Sequence, residues 1–574
     1  MKYHFSFQNP SRQYIDIKFS VKVAGEKSIR FQLPAWRPGR YELGNFAKNI
    51  QKWEAFDEKE QPLDHKKLSK DLWEVDCQRA KKVMIKYNYY ASDLNAGSTY
   101  LDEQQLYVNP VNCCLYVPGR EDEEIELQLD VPKNFEIATS LKSKTGTKQD
   151  IQCAAGNFDE LADSPFIVSP HLKRLEYKVD ETTFYLWFQG EIEGDEDKLL
   201  SDFRAFSKEQ GTLFGGFPFN TYHFLFHILP YKAYHGVEHS NSTVICLGPT
   251  YDVLKKDKLY DELLGVSSHE LFHAWNVKRI RPAEMWPYDF TKENYSRLGY
   301  LAEGATTWYG DLMLYRSGAF DEKSFLKTFN QLLNRHFNNP GVRNLSVADS
   351  SFDTWLDGYQ RGVPNRKASI YTEGALITFL LDLEIRKASN GKHSFDDVMR
   401  SFYSNFFLKG KGITENDYQA TVEHFVGKGM DSFFEHYVNG FQDFMPLLKK
   451  ATEKLGFEIK SNARENYHES YLGFVCEENK VTMIYPNSVA ENSGLMVNDE
   501  IIRINGQQVN NDISEWTAFY SKQAIAFDIN KNKGGSALVK MKAKGEMYYA
   551  NYTIESLNSL NGDQTAFRKA WMKS

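Results

Sequence analysis

The residues best placed to do chemistry lie in one stretch, Ser267-Ser268-His269-Glu270-Leu271-Phe272-His273-Ala274-Trp275-Asn276, which contains H-E-x-x-H. Residues four apart on a helix share a face one turn apart, so His269 and His273 can aim ring nitrogens at one point. Zinc accepts imidazole nitrogen at about 2.0–2.1 Å, and two such histidines supply half of a tetrahedral site. Glu270 stands beside the first, close enough to act on a water held there without binding the metal itself. Leu263, Leu264, Leu271, Phe272 and Trp275 supply apolar positions, so the stretch reads as a helix facing a core. Ser267 and Glu270 also fit an S-x-x-E capping pattern, which would start that helix later.

A catalytic zinc commonly takes three protein ligands and keeps a fourth position open. The best third candidate is Glu303, in Leu301-Ala302-Glu303-Gly304-Ala305, at the start of a second helix whose apolar residues would pack beside the first. His223 and His227 are also four apart. They fall in a strand-like run with no Glu between them, so they read as structural. Residues 33–41 carry two prolines and a glycine, which forbid regular helix or central strand. They read as a rigid loop between strands, with a place on the rim of a site as the other possibility.

The elements that must position these residues follow from composition and periodicity. With 574 residues the chain exceeds what one hydrophobic core supports, so several domains are expected. Apolar residues make up 41% and aromatics 14%, as in a well-packed globular protein. The net charge of −8, with signs intermixed, argues against nucleic acid as the main partner. No apolar run approaches the ~20 residues of a membrane span. The start of the chain shows no signal-peptide core, so the default location is cytoplasmic. The six cysteines are scattered without a disulfide framework, which fits reduced thiols.

The fold class expected is multidomain α+β. Residues 1–170 alternate with period two between turn residues and suggest a β-sandwich-like domain. Residues 171–454 form the catalytic domain: mixed up to about 250, then mostly α, with helices expected near 300–315, 322–336, 371–388, 394–407 and 413–426. Residues 455–555 return to short strands, and 556–574 read as a loose end or short helix.

The H-E-x-x-H helix followed by E-G resembles the thermolysin-related zinc aminopeptidases, in which a Glu on a following helix completes a His-His-Glu site. Residues 269–282, His-Glu-Leu-Phe-His-Ala-Trp-Asn-Val-Lys-Arg-Ile-Arg-Pro, are similar to the signature of one branch, the glycyl aminopeptidase family. Trp36-Arg37-Pro38-Gly39-Arg40-Tyr41 resembles that family's N-terminal W-x-P-G-x-Y element. The resemblance implies one zinc ion per chain held by His269, His273 and Glu303, with Glu270 as general base. Gly236-Val237-Glu238-His239 resembles the element that binds a substrate's free amine, which makes Glu238 the amine anchor and Gly236 part of its surroundings. An exopeptidase needs such a carboxylate to count residues from the chain end. Tyr371-Thr372-Glu373-Gly374-Ala375 resembles the turn carrying a transition-state tyrosine, while Glu373 is expected to point away.

Residues 471–506 resemble a PDZ domain, whose Leu472, Gly473 and Phe474 would offer backbone N–H groups to a chain-end carboxylate. The combined expectation is a zinc aminopeptidase that removes small N-terminal residues, glycine or alanine, from peptides with a free N-terminus, with a possible C-terminal peptide at the PDZ groove. Two alternatives stand beside it: a zinc endopeptidase with PDZ-guided substrate capture, and a PDZ-based peptide-binding protein with an inactive metal site.

Overall fold

Alternation of side chains builds the N-terminal part. In the strand Tyr14–Lys22, Ile15, Ile17, Phe19 and Val21 are buried while Asp16 and Lys22 face solvent, as a half-buried sheet requires. The computed structural model describes residues 1–77, 80–144, 151–358 and 362–572. Tyr14–Lys22 lies in a seven-stranded sheet ordered Lys142–Ser143, Ile151–Ala155, Ile125–Asp130, Lys2–Ser6, Tyr14–Lys22, Lys82–Tyr90, Ile50–Phe56. Its pairs are antiparallel except Lys2–Ser6 with Ile125–Asp130, which run parallel. A three-stranded and a four-stranded sheet pack on its inner face. Phe19 meets Phe31 edge-on at 5.9 Å, and Phe5 meets Phe166 at 5.8 Å.

The four-stranded sheet joins two cores. Leu106, Val108, Phe166 and Val168 face the N-terminal core. Their neighbours Tyr107 and Ile167 face the other way, onto Trp187, Leu225, Val244 and Cys246 of the next sheet. A strand buried on both faces reads as continuously apolar, and its period of two sends alternate side chains to each core.

That next sheet has the order Lys173–Val179, Thr182–Gln189, Thr221–Ile228, Ser242–Gly248, Ala233–Glu238. Its edge strand, Ala233–Glu238, runs antiparallel to Ser242–Gly248 with Glu238 opposite Thr243. His223 accepts a hydrogen bond from Trp187 Nε1 at 3.2 Å, and His227 packs against Tyr107 at 4.7 Å. Burial pushes His223 down to about 4 and His227 to about 3, so both are neutral structural groups.

The helices Asp261–Phe272, Thr306–Ser317, Glu322–Phe337 and Ile370–Ala388 complete the catalytic part around one large core. Asp261 and Glu262 occupy the first turn of the motif helix, where the helix dipole favours acids. Ser267 is not a cap: it lies inside this helix with its side chain buried. The apolar periodicity before it carries the helix further back than the local capping pattern suggested. Among the described residues no helix is long and apolar enough to cross a membrane. All six cysteines, including the neighbours Cys113 and Cys114, are free.

The C-terminal PDZ sheet is ordered Phe474–Glu477, Lys480–Ile484, Glu500–Ile504, Ile525–Asn530, Ser536–Met541. The strands flanking it, Phe457–Ala463 and Ala550–Ser556, pair with each other and attach the module to the helix Glu322–Phe337. Asn334 Nδ2 donates to Tyr552 O at 2.6 Å while its Oδ1 accepts from Tyr552 N at 2.9 Å. Asn338 makes the same pair with Ala550, at 2.8 and 2.9 Å, and Asn330 accepts from Ile554 N at 2.6 Å. Four helical residues rise about 6.0 Å and two strand residues about 6.6 Å, so asparagines at every fourth position keep step with alternate residues of a strand. The tail forms the helix Gly562–Trp571, and Trp571 is buried in the catalytic core. It is therefore anchored and not a loose end; Lys573 and Ser574 lie outside the described residues.

Asn334→Ala leaves both backbone groups of Tyr552 without their partners. It is expected to lower stability by about 1–3 kcal/mol, read as a fall in the first unfolding midpoint. An unchanged midpoint would show that the asparagine ladder does not hold the module.

Candidate metal centre

The motif helix brings His269 and His273 together, with Nε2 atoms 3.0 Å apart. Glu303 arrives from the next helix, its Oε2 3.4 Å from His273 Nε2 and 3.9 Å from His269 Nε2. It sits in the π-helical turn Tyr300–Ala305, directly before Thr306–Ser317. Such one-turn insertions recur where a helix must present a functional side chain. Three donor atoms thus converge from two helices, the arrangement of two imidazoles and a carboxylate that suits a divalent ion.

Four contacts set this aim. Asn276 Nδ2 donates to Leu301 O at 2.9 Å, Ala302 O at 3.2 Å and Thr306 Oγ1 at 3.0 Å, tying the end of the motif to the segment that carries Glu303. Asn276 O in turn accepts from His273 Nδ1 at 2.6 Å, which leaves Nε2 for the centre. Gly310 lets the two helices approach: a Cβ there would stand 3.2 Å from His269 Cα. Gly304 and Gly374 cross so closely that a Cβ on Gly304 would fall 2.3 Å from Gly374 Cα. This crossing seats Ile370–Ala388 against the Glu303 turn and puts Tyr371 on the same cleft. Glu373 points away, as expected, with both oxygens within 2.8 Å of His336 Nδ1.

Glu270 lies over the edge strand, and the reason for Gly236 is steric: a Cβ there would come 2.2 Å from Glu270 Oε1. Glu238, two residues on, has an oxygen within 4.8 Å of ligating atoms of Glu270 and His273. Both carboxylates are buried, and Glu270 Oε2 and Glu238 Oε1 have no hydrogen-bond partner among the described residues. Burial, with Glu238 and Glu303 adding to it against His273, pushes Glu270 up to about 8. A cation at the centre would bring it down again. Burial alone would lower His273, but the bond to Glu303 and that carboxylate's charge raise it to about 9. His269, desolvated beside it, falls to about 3. Burial opposes ionisation of Glu303, yet the bond from His273 holds it below the usual range.

The centre opens into a cleft of about 610 Å³. Gly236, Glu238, His269, Glu270, His273, Glu303 and Tyr371 all line it. Leu472, Gly473 and Phe474 do not. They are buried in the PDZ module, with Gly473 N bonded to His468 O at 2.9 Å and Ser488 packed over Gly473. Next to the expected amine anchor, His239 Nδ1 lies 3.0 Å from Asp163 Oδ1, which also accepts from Lys278 Nζ at 2.7 Å. This part-buried pair ties the motif's downstream residues to the N-terminal domain.

The sequence leaves the proline-rich loop either a rigid connector or part of a site's rim, and the structure builds it into the cleft wall. Gly39, at φ +75°, lies so close to Glu238 that a Cβ would stand 2.4 Å from Oε2. Tyr41 OH donates to Glu303 Oε1 at 2.8 Å across 262 residues. Arg37 is buried against Gly97, and its charge acts on Glu270. Two prolines and a glycine signalled rigidity but not what the loop touches.

A helical H-E-x-x-H with a downstream Glu, set on a sheet whose edge strand borders the cleft, defines a metallopeptidase. Residues 2–170 match the Peptidase M61 N-terminal domain, 262–377 the M61 glycyl aminopeptidase, and 446–517 the PDZ domain. The chain belongs to the M61 glycyl aminopeptidase family. Among solved structures, an aminopeptidase N family protein from Idiomarina loihiensis shares the fold at a TM-score of 0.91, over 100% of both chains, with 24% identity. An M1 zinc metallopeptidase variant from Deinococcus radiodurans, bound to a Tyr-Ser-Ala substrate, is more distant: TM-score 0.49 and 16% identity, over 77% of this chain and 94% of that one. No curated protein matches the chain.

Metal uptake requires neutral imidazoles. With His273 raised from 6.5 to about 9 and Glu270 to about 8 in the metal-free protein, binding at pH 7 is expected to release protons from both groups and to tighten as pH rises towards those values. Calorimetry in two buffers of different ionisation enthalpy measures this; buffer-independent heats would mean that neither group releases a proton. The His273 shift stabilises the metal-free fold fully below 6.5 and is lost as pH rises through about 9.

Proposed function

We propose that this chain is a zinc aminopeptidase that removes small N-terminal residues, glycine or alanine, from peptides with a free N-terminus. Zinc would be held by His269, His273 and Glu303, and when bound it supplies Lewis acidity at the scissile carbonyl. Glu270 takes the proton of the attacking water and passes it to the leaving amine. Tyr371 donates a hydrogen bond to the carbonyl oxygen as that atom gains charge. Glu238 pairs with the substrate ammonium.

The observation that carries the exopeptidase reading is the state of Glu238. It is a buried carboxylate with one unpartnered oxygen, beside Glu270 and roofed by Gly39. A cation from outside the fold satisfies such a group far better than water alone. A carboxylate placed to pair with a free ammonium favours trimming from the end over internal cleavage. The preference for a small residue is supported by the description of the family, M61 glycyl aminopeptidase.

Hydrolysis of glycyl-, alanyl-, leucyl- and N-acetyl-alanyl-anilides, with and without a chelator, tests the whole reading. Chelator-sensitive cleavage of the free glycyl and alanyl substrates alone is the expected result, and cleavage of the acetylated one would make the enzyme an endopeptidase. Glu270→Gln is expected to keep its metal while activity falls to background; substantial residual turnover would remove Glu270 as the base. Glu238→Ala is expected to lose the preference for free over blocked N-termini, and Tyr371→Phe to lower kcat about 10²–10³-fold.

A further inference from the structure

We propose that Tyr41, a residue of the N-terminal domain, is a positioning residue of the metal centre that sets metal affinity by orienting Glu303. The inference rests on the metal-site reading above. The two oxygens of Glu303 have separate tasks: Oε1 accepts from Tyr41 OH at 2.8 Å, while Oε2 faces His273 Nε2 at 3.4 Å. A buried carboxylate held at one oxygen presents the other in a single direction, and so binds as a one-point ligand at little ordering cost. Without the phenol, Glu303 loses its hold on the side away from the histidines.

The loop that delivers Tyr41 is fixed at several points, so the phenol's place is imposed and not incidental. Ala35 N donates to Phe290 O at 2.8 Å, and Ala35 O accepts from Asn45 N at 3.0 Å. Trp36 packs against Tyr288 and Trp355, each at 5.5 Å, and its Nε1 donates to Arg40 O. Tyr41 itself lies edge-on to Trp355 at 6.1 Å. The guanidinium of Arg37 rests on Gly97, where a Cβ would come 2.1 Å from Nη2, so a second N-terminal loop backs the first. Gly39 abuts Glu238 in the same turn. One loop therefore touches the third metal ligand and the amine anchor together.

The test is metal affinity of the full chain, wild type against Tyr41→Phe, by competition with a chromophoric zinc chelator, with the thermal midpoint of each metal-free protein measured alongside. Tyr41→Phe keeps the ring on Trp355 and removes only the hydroxyl. The expected result is a 10–100-fold weaker zinc affinity, the range seen when a partner of a metal ligand is removed, with the metal-free protein still unfolding in one cooperative transition whose midpoint falls no further than one lost buried hydrogen bond explains. Equal affinities would overturn the inference. So would a loss of affinity accompanied by loss of the cooperative metal-free transition, since that marks a role in folding. A wild-type chain that binds no zinc would overturn the metal-site reading itself, an outcome distinct from both.

Discussion

Three donor atoms on two helices must reach one point, and an error of about 1 Å is enough to lose it. The constraint is met by close approach of backbone to backbone. Gly304 lies on Gly374 at a separation that no side chain would permit, and Gly310 lies on His269 so closely that a side chain would push the helices apart by a few tenths of an ångström. Asn276 then locks the geometry, with its amide spanning the Glu303 segment and its carbonyl taking the outer nitrogen of His273. Buried polar bonds of this kind are costly to leave half-made, so they specify one arrangement among many of similar packing. Tyr371 depends on the same crossing, because its helix is seated by Gly374.

The centre belongs to more than one domain. The four-stranded sheet shares its two faces between the N-terminal core and the catalytic sheet, which holds the two parts at a fixed distance. On that footing the loop of residues 33–41 reaches Glu238 and Glu303, and the part-buried Asp163–Lys278 pair closes the same interface beside His239. Burial and charge then act together. Packing desolvates Glu270 and raises it, while the carboxylate of Glu303 holds a proton on His273. A cation at the centre would relieve both, so the cluster is electrostatically biased towards a positive guest.

The PDZ module is attached as firmly as an internal element. Asparagine amides on the helix Glu322–Phe337 imitate a neighbouring strand, and Trp571 returns from the far side into the catalytic core. The adjoining face of that helix places Lys327, Gln331 and Arg335 on the cleft, so module and cleft share one wall. Leu472 to Phe474, which sequence pattern marks as a carboxylate loop, are enclosed by their own module.

What the sequence determined by itself was chemistry at short range. The H-E-x-x-H spacing predicts two histidines on one helical face, and the structure has them there. Helical periodicity located Glu322–Phe337 and Ile370–Ala388 nearly to the residue, because repeated apolar positions are local signals. The five-stranded sheet was legible only in part: residues 184–188 and 222–228 read as buried strands, and the structure has strands there, but strands buried on both faces lose their alternation and the rest of 171–250 looked mixed. The tertiary structure alone decided what lies across the cleft. Tyr41 and Glu303 are 262 positions apart, and nothing in the composition of a proline-glycine loop states that its tyrosine will meet a buried carboxylate. Likewise Gly236 reads as an ordinary strand glycine until Glu270 is found in the space its missing side chain leaves. Residue types and spacings encode what a segment can do; which distant segment it does it with is set by packing, and packing is a property of the whole chain.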